Sequence, residues 1–363
     1  MKSIFAKTIT VLGLVAGISA AEQLNPPTDI ARPGESGYVS GELIYPLDNR
    51  PTPQCHASTI VETSSGLVAA WFAGTREKHN DVGIRVARHV DGKWTLPVEV
   101  ATGAENEDQL YPCWNPVLFR PKNGPLMLFY KVGPDPRKWW GVLLTSDDDG
   151  RTWGNRRKLG QGSLGHLAGP IKNKPIQLAD GAILCPTSTE FNNWRVHFEV
   201  TRDLGKTWEI IGPINDGRKF NAIQPSILKY PDGRMQIMCR TQEGVVAQSW
   251  SKDGGKTWGP MSATDLPNPN AGTDAVTLRA GRQLIVYNHT VRRGSFPSGR
   301  NMLNVAISSN GKTWKPVLTL EREAKSEFSY PAVIQTADGK VHITYTWKRV
   351  SVKHVVLEPA SIK

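Results

Sequence analysis

Cysteine is scarce: four residues in 363, with no C-x-x-C pair, which excludes a zinc knuckle and a redox dithiol. The histidines at 79, 89, 166, 197, 289 and 354 show no metal-ligand spacing, and no metal site is expected. Nothing beyond residue 20 reaches the roughly 18 uninterrupted apolar residues of a membrane span. No run of five basic residues occurs despite a formal net charge of +11, so neither a nucleic acid nor a membrane is expected as partner. The Gly-Lys-Thr triplets beginning at Gly205, Gly255 and Gly311 lack the glycine five positions earlier that a phosphate loop needs, and no other cofactor motif is present. With 39% hydrophobic residues and 12 Trp, the chain is not of the disordered class. Its 34 Gly and 26 Pro favour many turns over long helices.

What is present begins with a leader. Lys2 and Lys7 precede an apolar run from Ile9 to Ile18 that is too short to span, followed by the small residues Ser19, Ala20 and Ala21. This pattern predicts a cleavable signal over residues 1–21 and a secreted or periplasmic mature chain.

The remainder is repetitive. The octet Ser146 to Trp153 (S-D-D-D-G-R-T-W) returns as Thr201 to Trp208 and Ser251 to Trp258. Shorter versions occupy Ser308 to Trp314 and Arg88 to Trp94. A second pattern interleaves with it: a β-rich run, a glycine turn, and another run, beginning at Ala57, Pro116, Pro175, Pro225, Ala275 and Pro331. Both recur every 50 to 59 residues. Alternating strands with hairpin turns such as Asp232-Gly233 make each unit a small antiparallel sheet. Radial repetition of such sheets is a β-propeller. The expected fold is therefore all-β, one six-bladed domain over residues 22–363, monomeric. The last unit lacks a strand after Lys353–Leu357, and Tyr38–Pro46 is expected to supply it, hiding a free edge. Within the octet, Asp accepts turn N–H groups, Gly supplies positive φ and Trp packs between strands, which is a structural task. Cys55 and Cys113 precede inner strands of adjacent units and form a candidate disulfide pair. Cys185 and Cys239 lie inside apolar strands and read as buried thiols.

A propeller gathers chemistry at its axis, where inner strands begin. The residues at those starts are His56, Asn115, Lys174, Gln224, Asp274 and Tyr330. This ring is polar although each member leads into an apolar strand.

Asp-boxes on a six-unit repeat resemble the sialidase (neuraminidase) superfamily of BNR/Asp-box proteins. In that family a triad of arginines grips a carboxylate, a Tyr assisted by a Glu attacks the anomeric carbon, and a first-blade Asp is the acid/base. Arg240, in M-C-R-T-Q, and Arg300, in G-R-N-M-L-N-V, resemble two of the arginines. Tyr330, in F-S-Y-P-A-V-I, resembles the nucleophile. Three positions depart. His56, in Gln54-Cys55-His56-Ala57, stands where the first arginine belongs, with Arg50 nearby. Gln224 replaces the Glu and cannot act as a base. Asp81 is the candidate acid, with Glu77 as fallback in Ala73–Asp81.

The resemblance implies a carboxylate-bearing glycan as partner, with Tyr330, Asp81, His56 and Gln224 as candidate catalytic residues. Arg240, Arg300, Arg76 and Asp274 are candidate binding residues. Three functions stay open: sialidase-type hydrolysis, elimination on a uronate glycan with His56 as base and Tyr330 as acid, and glycan binding without catalysis. Trp139 and Trp140, after the loop Gly133–Lys138, are candidates to stack on a sugar face. His166, ahead of the third inner strand, is a candidate to reach the ring.

Overall fold

The computed structural model describes residues 25–292, 294 and 298–362. The leader expected over residues 1–21 lies outside the described residues. Among the described residues, short and largely buried strands form six antiparallel sheets of four or five strands, which are the six blades expected from the repeat period, and one two-stranded hairpin, Gln161–Gly162 with Gly165–His166. The innermost strands are Gln54–Thr63, Cys113–Phe119, Ile176–Gln177, Ala222–Lys229, Asp274–Thr277 and Phe328–Gln335. The innermost strands of the sixth, first and second blades pack side by side, as do those of the fourth, fifth and sixth, while the third blade meets the fourth through Ile183–Thr189. In the first blade both Lys93–Trp94 and Val98–Ala101 pair with Gly83–Val90. No α-helix occurs among the described residues, and no helix there is long and apolar enough to cross a membrane.

Apolar side chains fill the wedges between blades. Phe72, Val82 and Ile84 of the first blade meet Leu128, Tyr130 and Val142 of the second, all buried. Leu284 and Val305 of the fifth meet Val333, Ile343 and Val355 of the sixth. Each such side chain contributes about 1.5–3 kcal/mol when fully buried. The ring closes as expected: Tyr38–Leu43 pairs antiparallel with Ser351–Leu357, in a register running from Tyr38 opposite Leu357 to Leu43 opposite Lys353. The last blade thus takes its outer strand from the N-terminal segment, which covers the edge of Ser351–Leu357.

The Asp-box performs the turn chemistry expected of it. Asp253 accepts from the Thr257 amide at 2.9 Å and the Thr257 hydroxyl at 2.5 Å, while Gly255 N donates to Ser251 Oγ at 2.9 Å. Trp258 Nε1 donates to Gly255 O at 3.0 Å, and its ring stacks on Phe198 of the neighbouring blade. Asp203 repeats the arrangement with Thr207 and Thr201, and Asn310 does so with Thr313 and Ser308.

All four cysteines are free and buried, so the pair Cys55–Cys113 is not bonded. The two thiols face different apolar clusters. Cys55 packs with Tyr45 and Trp71, where Tyr45 Oη donates to its sulfur at 3.3 Å, whereas Cys113 packs with Phe72 and Val82.

The closing strand also meets a group of histidines. His354 Nε2 lies 2.9 Å from His342 Nδ1, and Trp94 Nε1 donates to His354 Nδ1 at 3.3 Å. His89 and the closing-strand carboxylate Glu42 complete the group. Burial lowers His342 to about 4 and His354 to about 3. An unfolded histidine titrates near 6.5. As pH falls below that value the unfolded chain takes up protons first, so stability present above pH 6.5 is lost toward pH 4. Thermal unfolding followed from pH 7 to pH 4 should show a falling midpoint, and His354→Gln should flatten that slope. An unchanged slope in His354→Gln would contradict this account.

Candidate functional site

A cavity of about 370 Å³ opens at the axis. All six blades contribute to its wall, through His56, Asn115, Trp194, Gln224, Arg240, Arg300, Tyr330 and Arg349. A hollow of about 450 Å³ at the rim of the fifth blade is larger, but among the described residues its one titratable side chain is His289, and they include none of the candidate site residues.

The axial side chains converge because the inner strands share a defect. Register breaks between His56 and Thr59, Trp114 and Val117, Ile223 and Ser226, and Ser329 and Ala332. At these bulges Ala57, Asn115, Gln224 and Tyr330 adopt φ of 56°, 35°, 56° and 53°, and Lys172 adopts 68° ahead of the third inner strand. A bulge re-aims one side chain out of the ladder, here toward the axis. Non-glycine residues at positive φ store strain, a pattern concentrated at functional sites. In the fifth blade Gly272 holds the corresponding place. A Cβ there would lie 3.1 Å from Lys172 Cε and 3.3 Å from both Gln224 Oε1 and Tyr330 Cγ, so a larger residue would press on these three side chains.

The axial ring is therefore offset from the one read in the sequence. Lys172 and Gly272 stand at the axis, and Lys174 and Asp274 lie two residues deeper. Asp274, a candidate binding residue, is 1% exposed and does not line the cavity. Its carboxylate accepts from Lys174 Nζ at 2.9 Å, Ser226 Oγ at 3.0 Å and Val333 N at 2.9 Å, which ties four blades together. Lys172 is buried outside the cavity lining and donates to Thr273 O at 2.7 Å, to Asn173 Oδ1 at 2.8 Å and to Pro331 O. Burial lowers it to about 7.

Asp81 and Arg76 also fall outside the cavity. Asp81 is consumed by its own turn: Thr75 Oγ1 donates to it at 2.6 Å and His79 Nδ1 lies 2.7 Å away. Arg76 is exposed on the same loop. Glu77, the fallback, does line the cavity. Arg50 lies outside it, and His166 lines a neighbouring hollow.

Tyr330 is the hub. Arg240 Nη1 donates to its hydroxyl at 2.6 Å. Arg240 and Arg300 guanidiniums lie 5.7 and 5.4 Å from its ring centroid, and the His56 ring lies 4.1 Å away. Gln224 Oε1 accepts from Arg240 Nη1 at 3.4 Å. Burial, then Arg349, Arg300, Arg240 and Lys172, hold His56 well below its ordinary value, so it is neutral. Its Nδ1 lies 2.8 Å from Thr346 Oγ1.

Sequence reasoning missed a third arginine. The hairpin after Val341–Trp347 turns through Lys348 and Arg349 at φ of 52° and 62°, a primed turn that matches strand twist. It delivers Arg349 to the cavity, where Nε donates to Glu327 Oε2 at 2.9 Å and Nη1 to Glu77 Oε2 at 2.6 Å. Glu327 Oε1 receives Arg300 Nη1 at 3.0 Å, so this carboxylate couples two arginines. Burial pushes the Glu327 carboxyl up, but Arg349 and Arg300 outweigh it and hold it below its ordinary range. The missing first-blade arginine is thus matched by one from the last blade. Both Arg349 and Glu327 flank Tyr330 within twenty residues, but neither sits at a strand start.

Glu190, also missed, lines the cavity just past the strand Ile183–Thr189. Burial pushes its carboxyl above the ordinary value, against the pull of Arg240. Five cationic side chains (Lys78, Arg137, Arg240, Arg300, Arg349) face three carboxylates (Glu77, Asp135, Glu190), an excess that favours an anionic ligand. Bidentate guanidinium groups suit a carboxylate in particular.

Comparison with known structures supports the fold. A protein of unknown function from Dyadobacter fermentans superposes with a TM-score of 0.69 at 18% identity, covering 88% of this chain and 98% of that one. A Hadza microbial sialidase gives 0.73 at 18% identity, covering 89% and 69%. The NanB sialidase of Streptococcus pneumoniae gives 0.67 at 13% identity, covering 93% and 71%. No curated protein matches the chain. The sequence pattern of the BNR repeat-like domain matches residues 65–343. With most of its blades inside that match, the chain belongs to the BNR repeat-like domain family.

Proposed function

We propose that the axial cavity hydrolyses the glycosidic bond of a carboxylate-bearing sugar at the end of a glycan, by a sialidase-type route. The observation that carries this reading is the presence of Arg240, Arg300 and Arg349 in one cavity with Tyr330, whose hydroxyl Arg240 Nη1 reaches at 2.6 Å. An anionic sugar held by guanidiniums would present its anomeric carbon to the phenol oxygen that Arg240 Nη1 holds at 2.6 Å. With Nδ1–H donating to Thr346, His56 Nε2 carries the lone pair and is the adjacent base for the Tyr330 proton. Tyr330 Oη forms a bond to the anomeric carbon as the bond to the leaving oxygen breaks, and Glu190 gives that oxygen its proton. Water then replaces Tyr330 at the same carbon, losing its proton to the Glu190 carboxylate, and the departing Tyr330 oxygen takes its proton back from His56. Glu190 takes the place the resemblance gave to Asp81, because its raised affinity for a proton suits an acid and Asp81 is bound up in its turn. The sialidases among the similar folds agree with this reading, and export through the N-terminal leader and action as a monomer fit a glycan substrate.

One observation favours a second reading. Neutral His56 against the Tyr330 ring, without an acidic residue at Gln224, also suits proton abstraction beside a uronate. Elimination leaves a conjugated double bond that absorbs in the ultraviolet, and hydrolysis does not.

The pH profile tests the assignment. Glu190 must be protonated to act, so the rate should fall as pH rises through its raised value. His56 must be neutral, so the acid limb should lie well below 6.5. Glu190→Gln should lower kcat by about 10²–10⁴ on alkyl glycosides and remove the alkaline limb. Retention of that limb would exclude Glu190 as the acid.

A further inference from the structure

The two guanidiniums nearest the Tyr330 ring come from different blades, and one residue touches both. Arg240 Nε donates to Asn270 Oδ1 at 2.7 Å, and Arg300 Nη2 donates to the backbone carbonyl of Asn270 at 3.0 Å. Asn270 belongs to residues 268–273, which join the strand Ser262–Pro267 of the fourth blade to the innermost strand Asp274–Thr277 of the fifth. It is not among the described residues that line the cavity. Any effect it has on a ligand therefore passes through the arginines.

The loop that carries Asn270 is anchored on both sides. Asn268, fully buried, accepts from Ala271 N at 3.1 Å and donates from its side-chain amide to Ala271 O at 2.9 Å, so it brackets Asn270. The Asn268 backbone amide donates to Gly244 O at 2.8 Å, which ties the loop to the fourth blade. Pro269, with its fixed φ, packs on Gly299, where a Cβ would lie 2.4 Å from Pro269 Cβ. Gly299 immediately precedes Arg300, so the same loop also meets the fifth-blade arginine at its backbone. Between these anchors Asn270 takes φ of 61°, a conformation that glycine, asparagine and aspartate adopt at least cost.

The position thus asks for tolerance of positive φ and for a side-chain acceptor facing Arg240 Nε. Glycine meets only the first demand, and asparagine and aspartate meet both. Charge separates those two. Arg300 and Arg349 share the Glu327 carboxylate, which offsets part of their charge. Every hydrogen-bond acceptor of Arg240 among the described residues is neutral: Asn270, Gln224 and Tyr330. The planar guanidinium of Arg240 is held through Nε and Nη1, yet keeps its charge for an anion. A carboxylate at position 270 would hold the same plane but would oppose an incoming carboxylate. We propose that Asn270 is a positioning residue that makes Arg240 and Arg300 one clamp: its side chain orients the first, its backbone carbonyl fixes the second, and its neutrality leaves the Arg240 charge for the ligand. The inference rests on the reading of the axial cavity as a site for a carboxylate-bearing sugar and names the residue that sets its preference for the acid.

Two aryl glycosides of N-acetylneuraminic acid serve as probes, one with its carboxylate and one with that group reduced to an alcohol. Release of the aryl alcohol gives kcat and KM for wild type, Asn270→Gly, Asn270→Asp, Arg240→Ala and the double variant of Asn270→Gly with Arg240→Ala. Asn270→Gly keeps the backbone conformation and the carbonyl toward Arg300 and loses the acceptor for Arg240. It should raise KM for the acid about tenfold more than KM for the alcohol. Asn270→Asp keeps the acceptor and adds charge, and should narrow the preference for the acid at least as far. In the Arg240→Ala background, Asn270→Gly should change both KM values by the same factor, because the group it orients is gone. Thermal midpoints show which proteins are folded. A folded Asn270→Gly protein that changes both KM values equally with Arg240 present, or that narrows the preference as much without Arg240, refutes the positioning role while the axial reading survives. If Asn270→Gly does not fold, an Asn270→Asp protein with the wild-type preference refutes it instead. If wild type treats the two glycosides alike or cleaves neither, the axial reading itself fails, and the positioning role with it.

Discussion

Tyr330→Phe should abolish turnover while the protein unfolds at nearly the wild-type temperature. The substitution removes one oxygen whose one recorded hydrogen bond is the 2.6 Å contact from Arg240 Nη1. The ring itself packs on His56 and between two guanidiniums, and Phe keeps all of that surface. The backbone at Tyr330, at φ 53°, is equally strained with either side chain. Loss of stability should therefore stay within the ~1 kcal/mol of a single hydrogen bond. Loss of rate should be on the order of 10³-fold or more, because without the hydroxyl there is no nucleophile for hydrolysis and no acid for elimination. Circular dichroism and a thermal melt beside the assay check both halves. A folded Tyr330→Phe protein with full activity would exclude both chemistries and leave the cavity as a binding site.

Arg240→Ala should lower kcat/KM by about tenfold to hundredfold or more, at 1.5–3 kcal/mol for each charge-assisted hydrogen bond it loses. Arg240 uses Nε on Asn270 Oδ1 at 2.7 Å and Nη1 on Tyr330, while Nη2 has no partner among the described residues. Removal therefore withdraws both the donor that steadies the phenolate and a prong offered to the ligand carboxylate. Arg240→Lys should recover only part of the loss, since an ammonium cannot bond two oxygens in the plane of a carboxylate. Steady-state kinetics on one acidic glycoside measure both variants. Full recovery by lysine would show that charge alone matters and that the fork geometry does not.

The fold was legible because its signals are local and repeated. The Asp-box needs Ser or Thr, Asp, Gly and Trp within eight residues, and in the boxes at Asp203 and Asp253 each of these makes the bond its type suggests. The closing strand was legible as a deficit, one strand short in the last unit. The site was legible where a side chain belongs to a strand start: His56, Gln224 and Tyr330 line the cavity, as do Arg240 and Arg300. It was illegible where geometry depends on another blade. Asp274 and Lys174 lead their strands as a catalytic ring residue would. The third and fifth inner strands are short and begin past the axial turn, however, so these two residues pair with each other instead. Asp81 carries the residue type of an acid, and only the folded turn shows that Thr75 and His79 occupy it. Arg349 reaches the axis through two consecutive residues at positive φ that have no glycine to announce them. Glu190 is one of several acids at strand ends, and its burial comes from blades distant in sequence.

The central claim is that the three arginines bind a carboxylate on the sugar that is cleaved. The most direct measurement compares two aryl glycosides of the same sugar, one with its carboxylate and one with that group reduced to an alcohol. Purified protein should release the aryl alcohol from the acid and leave an unmodified sugar without ultraviolet absorbance from a new double bond. Release from the reduced analogue should be lower by at least about a hundredfold, the loss expected when two charge-assisted hydrogen bonds disappear. Equal rates on the two glycosides would contradict the account.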